Sequence, residues 1–318
     1  MIHTSCPLKL RSNTQLVKNL LEKKRLLKQK DPSHKKYKTA LIIEGGIFLG
    51  VYGAGIAWGL EEIGMTNAFD YVLGISTGTV TGAYFLSQQM EMGTSVFYED
   101  LTDGQFLNFR RVKSIINMDY LNDIFATKKI LATQQIRKAR SELLFAVTNI
   151  VTGKGEILRA KDEDIDILTS IKEAMSLPGF YNKPTPIRGK AYCDGVYGFT
   201  NPIAYALEEL GCTDVVVVTN RPCNFRSDPQ LFTFLETIAA KTMLRNLSSE
   251  FRKAYISRRR SSSRDMAMLW EMGKDEFPGI NLGLICRDTM PINRFSQNSK
   301  KIKEVAQDAK LQAIELFS

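Results

Sequence analysis

Tyr71-Val72-Leu73 followed by Gly74-Ile75-Ser76-Thr77-Gly78 reads as a short apolar strand that turns at once into a helix. Gly-x-Ser-x-Gly in that setting marks a nucleophile elbow, a sharp strand-to-helix turn that presents a serine hydroxyl. Gly74 and Gly78 permit the turn and the close packing of helix on strand. A helix N-terminus at about Thr77 also favours negative charge beside Ser76. The bland alternative for Ser76 is an ordinary helix N-cap.

A serine nucleophile needs a nearby base. The chain has two histidines, His3 and His34, and both lie in the N-terminal segment. The base is therefore expected to be something other than imidazole. Asp194-Gly195 follows a short strand expected over Lys190–Cys193. Alone, Asp-Gly is most often a simple turn. With Ser76 present and no histidine after it, Asp194 becomes a candidate proton acceptor. A Ser–Lys dyad is the mechanistic alternative.

Outward from the elbow, Thr39–Ile43 is a strand that turns at Glu44-Gly45-Gly46 into a helix of about 50–62. Such a turn can aim backbone N–H groups at an anion. Gly50-x-x-Gly53-x-Gly55 lacks dinucleotide-site spacing and fits tight helix packing better. This strand–helix–strand–helix unit predicts a three-layer α/β/α fold with a mostly parallel central sheet. Leu143–Thr148 is a buried strand, and Glu156–Arg159 pairs with it through a turn. Residues 164–175 and 202–210 read as helices, and Val215–Val218 as a central strand. From about 230 the chain reads as largely helical, ending in a helix over 297–317, with Arg258–Ser263 as a basic turn or loop. Residues 95–140 are mixed.

The chain has 318 residues and a formal net charge of +9. Residues 1–38 hold 11 Lys and Arg against 2 Asp and Glu, whereas the rest carries 32 of each sign. The division expected is a basic helical tail over 1–38 and a globular domain over 39–318, with core motifs in 39–225 and a mainly helical part in 226–318. In the tail, residues 14–30 read as a helix with Leu16, Leu20 and Leu27 on one stripe and Leu26 off it. A basic helix of this kind suits peripheral contact with anionic membrane through residues 14–38, or it is simply a solvated helix. No nucleic-acid partner is expected, because the globular body is charge-neutral. Five scattered cysteines with no C-x-x-C pair argue for reduced, buried thiols rather than a disulfide framework or a zinc site. No metal and no cofactor are expected. With no secretory signal pattern and no membrane-length apolar run, the expected location is cytoplasmic, with peripheral contact at membranes. Export by a specialised machine is the alternative.

Three elements taken in order resemble the patatin-like phospholipase family, whose pattern is G-G-G-x-R-G, then G-x-S-x-G, then D-G-G/A. Here they read Gly45-Gly46-Ile47-Phe48-Leu49-Gly50, Gly74-Ile75-Ser76-Thr77-Gly78 and Asp194-Gly195-Val196. The resemblance covers about residues 39–225. It also takes in Leu60-Glu61-Glu62, Phe69–Gly74, Ser176-Leu177-Pro178, Pro202-Ile203 and, in the manner of a bacterial branch, Val215–Val218 with Arg221-Pro222. It implies a serine acyl hydrolase of phospholipase A or lysophospholipase type, acting on phospholipids or other lipid esters. Ser76 would be the nucleophile and Asp194 the proton acceptor, with an acyl-enzyme between them. Gly45, Gly46, Ile47 and Thr77 would supply the oxyanion hole. Gly50, Gly74, Gly78 and Gly195 would be the structural glycines of the motifs.

The chain departs from the family where Ile47 replaces the third glycine, Leu49 replaces the arginine, and Thr77 replaces a small residue after the nucleophile. A β-branched residue is poorly suited to a backbone position that needs positive φ. These departures support an alternative reading, a catalytically impaired lipid- or membrane-binding protein on the same fold. Acyl transfer to an acceptor other than water is a third reading that the same dyad serves.

Overall fold

The computed structural model describes residues 8–12, 14–111, 114–181, 183–223, 237–238, 240–261, 265 and 279–318. Its strands are β1 (Lys9–Ser12), β2 (Thr39–Ile43), β3 (Tyr71–Gly74), β4 (Glu142–Asn149), β5 (Gly155–Arg159), β6 (Tyr192–Asp194), β7 (Asp214–Pro222) and β8 (Asn281–Arg287). They form one sheet in the order β1-β8-β7-β2-β3-β4-β5, with β6 also paired to β4. The five strands from β8 to β4 run parallel, and β1, β5 and β6 are antiparallel to their neighbours.

Alternate residues of the central strands face two helical layers. Leu41, Ile43, Val72, Val216 and Val218 pack against the helices α2 (Gly50–Glu62) and α3 (Thr77–Leu86) and the C-terminal helix Ser299–Phe317. Ala40, Ile42, Leu73, Val215 and Val217 pack against the helix Pro202–Glu208. The architecture is the three-layer α/β/α sandwich that the motif order implied. Both faces of the parallel strands are covered, so they read as continuous apolar runs. Within α2 the glycines act by close approach. A Cβ on Gly55 would stand 2.4 Å from the Ala306 carbonyl oxygen, and one on Gly59 would stand 2.5 Å from that of Lys310.

Four expectations are corrected. The first concerns the N-terminal segment, which is not a free tail from residue 8 onward. β1 extends the sheet beside β8, and the helix α1 (Thr14–Lys28) docks on the body. Its buried stripe is Leu16, Leu20 and Leu26, with Leu27 only half-buried. Lys23 completes that stripe and is fully buried. Its ammonium pairs with Asp70 and donates to the Tyr37 carbonyl and Thr39 Oγ1, both at 2.8 Å. Burial lowers the Lys23 pKa, and the Asp70 charge opposes that shift.

The second correction is β8, which lies where the chain read as helical. Gly283 sits inside it because the Leu16 side chain packs there, 2.3 Å from where a Cβ would be. Third, Cys223 and Cys286 form a disulfide, with Cα atoms 5.2 Å apart, that joins the end of β7 to β8. The pairing of those strands brings together residues 63 apart in sequence. Cys193 and Cys212 are free and buried, while Cys6 and His3 lie outside the described residues. Fourth, helix Ser249–Ser261 runs through the start of the Arg258–Ser263 stretch, and Arg258 stacks 3.9 Å from the Tyr255 ring centroid. Among the described residues no helix is long and apolar enough to cross a membrane.

Candidate active site

The sheet topology brings Ser76 and Asp194 together. β3 occupies one side of β4 and ends where Gly74 pairs with Phe145. β5 takes the opposite side of β4 over Leu144–Thr148. β6 therefore enters on the β3 side just beyond the end of β3, with Asp194 opposite Val147. Ser76, two residues past the end of β3, faces into that space.

Ser76 has φ 55° and ψ −130°, the strained backbone of an elbow that projects the side chain outward. Its surroundings leave no room for larger neighbours. A Cβ on Gly45 would fall 2.4 Å from Ser76 Cβ, and one on Gly78 would fall 2.0 Å from the Ile43 carbonyl oxygen. Gly50, Gly74 and Gly195 are packed as closely, against Thr77 Oγ1, the Thr79 backbone and the Ala146 carbonyl respectively.

Asp194 is wholly buried. Its backbone is held at both ends: its N–H donates to the Ser176 carbonyl at 2.9 Å, and its carbonyl accepts from Thr148 Oγ1 at 2.8 Å. Oδ1 accepts from the Val196 N–H at 2.9 Å. Oδ2 is buried and has no hydrogen-bond partner among the described residues. Burial pushes the Asp194 pKa up to about 7, and the Ser76 hydroxyl and the Val196 N–H pull it back. The Ser76 hydroxyl thus stands close enough to favour the ionised carboxylate. A carboxylate near 7 is a far better base than one at about 3.9, because general-base efficiency peaks when pKa approaches the working pH.

His34 lies beyond the opposite end of β2, with Nδ1 2.7 Å from the Asp31 carbonyl oxygen. Among the described residues no lysine hydrogen-bonds Ser76 or Asp194.

The loop after β2 lies against the elbow. The Gly46 N–H donates to Thr77 Oγ1 at 3.1 Å, so this expected oxyanion donor is already engaged. Among the described residues the N–H groups of Ile47 and Thr77 have no acceptor. Ile47 has φ 56°, in the left-handed region, where a β-branched residue is strained. Leu49, in place of the family's arginine, packs half-buried against the apolar core.

Two polar residues at the end of β7 hold this loop, and the sequence reading did not single them out. Asn220 Nδ2 donates to the carbonyls of Glu44 at 2.8 Å and Gly45 at 3.0 Å. Thr219 Oγ1 donates to Glu44 Oε2 at 2.6 Å. The available signal was a Thr-Asn pair closing a valine strand, since sites in parallel sheets gather at the carboxyl ends of strands. From Ile47 and Thr77 a small apolar pocket continues between Phe48, Val80, Phe97, Phe106 and Met175. Its far wall comes from the unreadable 95–140 stretch, which folds into short helices and π-type turns at Val96–Asp100 and Ile124–Lys128.

Residues 41–207 match the sequence model of the patatin-like phospholipases. The chain belongs to this family. This patatin-like chain is also similar to the uncharacterized protein YjjU of Escherichia coli K12, 26% identical over 208 residues. That match covers 63% of this chain and 56% of the relative, so the chain spans just over half the length of the curated protein it matches. Among solved structures it is similar to VipD from Legionella pneumophila, with a TM-score of 0.48 and 12% identity over 88% of this chain and 67% of that one.

Proposed function

We propose that this patatin-like protein hydrolyses carboxylic esters of phospholipids or other lipids through a Ser76–Asp194 dyad. The observation that carries the reading is the fully buried Asp194 beside Ser76, with a pKa of about 7. Ser76 Oγ attacks the ester carbonyl as Asp194 Oδ2, which has no other partner, takes the hydroxyl proton. The N–H groups of Ile47 and Thr77, with the N-terminus of α3, stabilise the oxyanion. Collapse expels the alcohol, which regains the proton from Asp194, and leaves an acyl group on Ser76. Water then attacks that ester as Asp194 takes its proton; collapse breaks the bond from the acyl carbon to Ser76 Oγ, which takes the proton back from Asp194, and the free fatty acid leaves. The apolar lining of the pocket beside the elbow favours an apolar acyl group there, which supports phospholipase A or lysophospholipase chemistry.

Hydrolysis of short p-nitrophenyl esters tests the reading: Ser76→Ala and Asp194→Asn are each expected to abolish it. Full activity in both variants would exclude the dyad. The engaged Gly46 N–H and the strained Ile47 favour a second reading, a catalytically weak lipid-binding protein. A fluorophosphonate probe separates the two, since labelling at Ser76 requires a working nucleophile.

A further inference from the structure

Two exposed aromatic rings stand on the loops that also hold the pocket wall. Phe109 and Phe295 are 59% and 42% exposed, yet they touch each other edge-on with ring centroids 5.3 Å apart. Each has an exposed arginine beside it in sequence, Arg110 and Arg294. Among the described residues neither guanidinium enters an ion pair or donates a hydrogen bond.

These rings are not on loose loop tips. Arg111 donates to the carbonyls of Gln105 at 2.9 Å and Gly104 at 3.3 Å, which closes the first loop. The Phe295 N–H donates to Asn293 Oδ1 at 2.8 Å, which closes the second. Gln297 Nε2 ties the two together through the Leu107 carbonyl at 2.9 Å. Both loops also hold the cavity wall. Phe106 lines the cavity and packs edge-on against Phe48, and the Arg294 carbonyl accepts the Phe48 N–H at 3.3 Å.

We propose that Phe109 and Phe295, with Arg110 and Arg294, are a docking patch that seats the cavity on an anionic lipid bilayer. Aromatic side chains partition into the membrane interface, and adjacent arginines bind anionic headgroups within a Debye length. The charge complement selects this occupant over a neutral apolar partner. The position of the patch beside the cavity gives docking a purpose, and to that extent the proposal rests on the lipid-ester reading. Helix α1 is not the inserting element, because Leu16, Leu20 and Leu26 are buried against the body.

The test is co-sedimentation of the full chain, in a Ser76→Ala background, with vesicles of phosphatidylcholine alone or mixed with phosphatidylglycerol. Binding is thus read without turnover and stands or falls apart from the esterase reading. Phe109→Ser with Phe295→Ser is expected to weaken binding to the mixed vesicles by tenfold or more. Arg110→Gln with Arg294→Gln is expected to remove the preference for anionic lipid and its salt dependence. In the Ser76-containing chain, both double variants are expected to keep their turnover of a soluble p-nitrophenyl ester. The proposal is overturned if the variants bind as the parent does, or if the parent does not distinguish the two vesicles. It is also overturned if the phenylalanine pair instead dissolves a dimer while vesicle binding persists.

Discussion

The N–H of Gly46 donates to Thr77 Oγ1 at 3.1 Å, so the residue after the nucleophile occupies a donor of the loop that faces it. Where that residue is small, the Gly46 N–H has no such acceptor. Thr77→Ala releases it toward the reacting carbonyl while keeping the backbone N–H of residue 77. A single oxyanion donor contributes roughly 2.7–4 kcal/mol where it has been removed. Steady-state kinetics on a soluble ester is expected to show a kcat higher by up to about a hundredfold with KM little changed. A lower kcat would mean that the Thr77 hydroxyl positions the loop rather than restrains it.

Ile47 holds a left-handed backbone that costs an L-residue roughly 1–2 kcal/mol. Its side chain returns part of that by packing half-buried against the core. Ile47→Gly removes both terms, so the net stability change is expected to stay within about 1 kcal/mol. Thermal denaturation measures it. A loss of several kcal/mol would show that Ile47 packing, not loop strain, dominates at this position.

Asn220 bridges two consecutive carbonyls, those of Glu44 and Gly45, with one side-chain nitrogen. Holding the Gly45 carbonyl fixes the peptide plane whose N–H, that of Gly46, meets the elbow at Thr77 Oγ1. Asn220→Asp replaces the donor with a second acceptor and is expected to lower kcat on soluble esters by at least tenfold with a smaller change in KM. Asn220→Gln, which keeps the donor on a longer arm, should recover part of it. A loss confined to KM would argue against a positioning role.

The fold and the elbow that carries Ser76 were legible in the sequence for a shared reason. Parallel strands buried on both faces leave uninterrupted apolar runs such as Leu41–Ile43 and Val215–Val218, and an elbow leaves its glycines in fixed places. Lys23 was not legible, because its burial depends on Asp70, Thr39 and Tyr37 converging from other elements. The Cys223–Cys286 bond was hidden because it depends on β8, and Leu282-Gly283-Leu284-Ile285 is too short a run to tell strand from helix. The cavity wall was hidden because the turns of 95–140 have no single period. Asn220 acts through the carbonyls of a distant loop, and no local pattern marks that.

With Asp194 as the proposed base, its raised pKa ties activity and stability to the same proton. Burial favours the neutral acid in the folded chain, so the folded pKa of about 7 stands above the ordinary 3.8. The stability this supplies is fully present below about pH 4 and is lost as pH rises through about 7, at about 1.4 kcal/mol per pKa unit. Asp194→Asn, which cannot ionise, is therefore expected to melt above the parent at pH 8, with the gap shrinking as pH falls toward 4.

The most direct measurement is the rate at which a fluorophosphonate phosphonylates Ser76 between pH 5 and pH 9. With Asp194 as the base, the rate is expected to rise through an apparent pKa of about 7 and level off above it. In Asp194→Asn it is expected to fall by about a hundredfold or more and lose that pH dependence. A rate flat across the range, or one that Asp194→Asn leaves intact, would contradict the Ser76–Asp194 dyad.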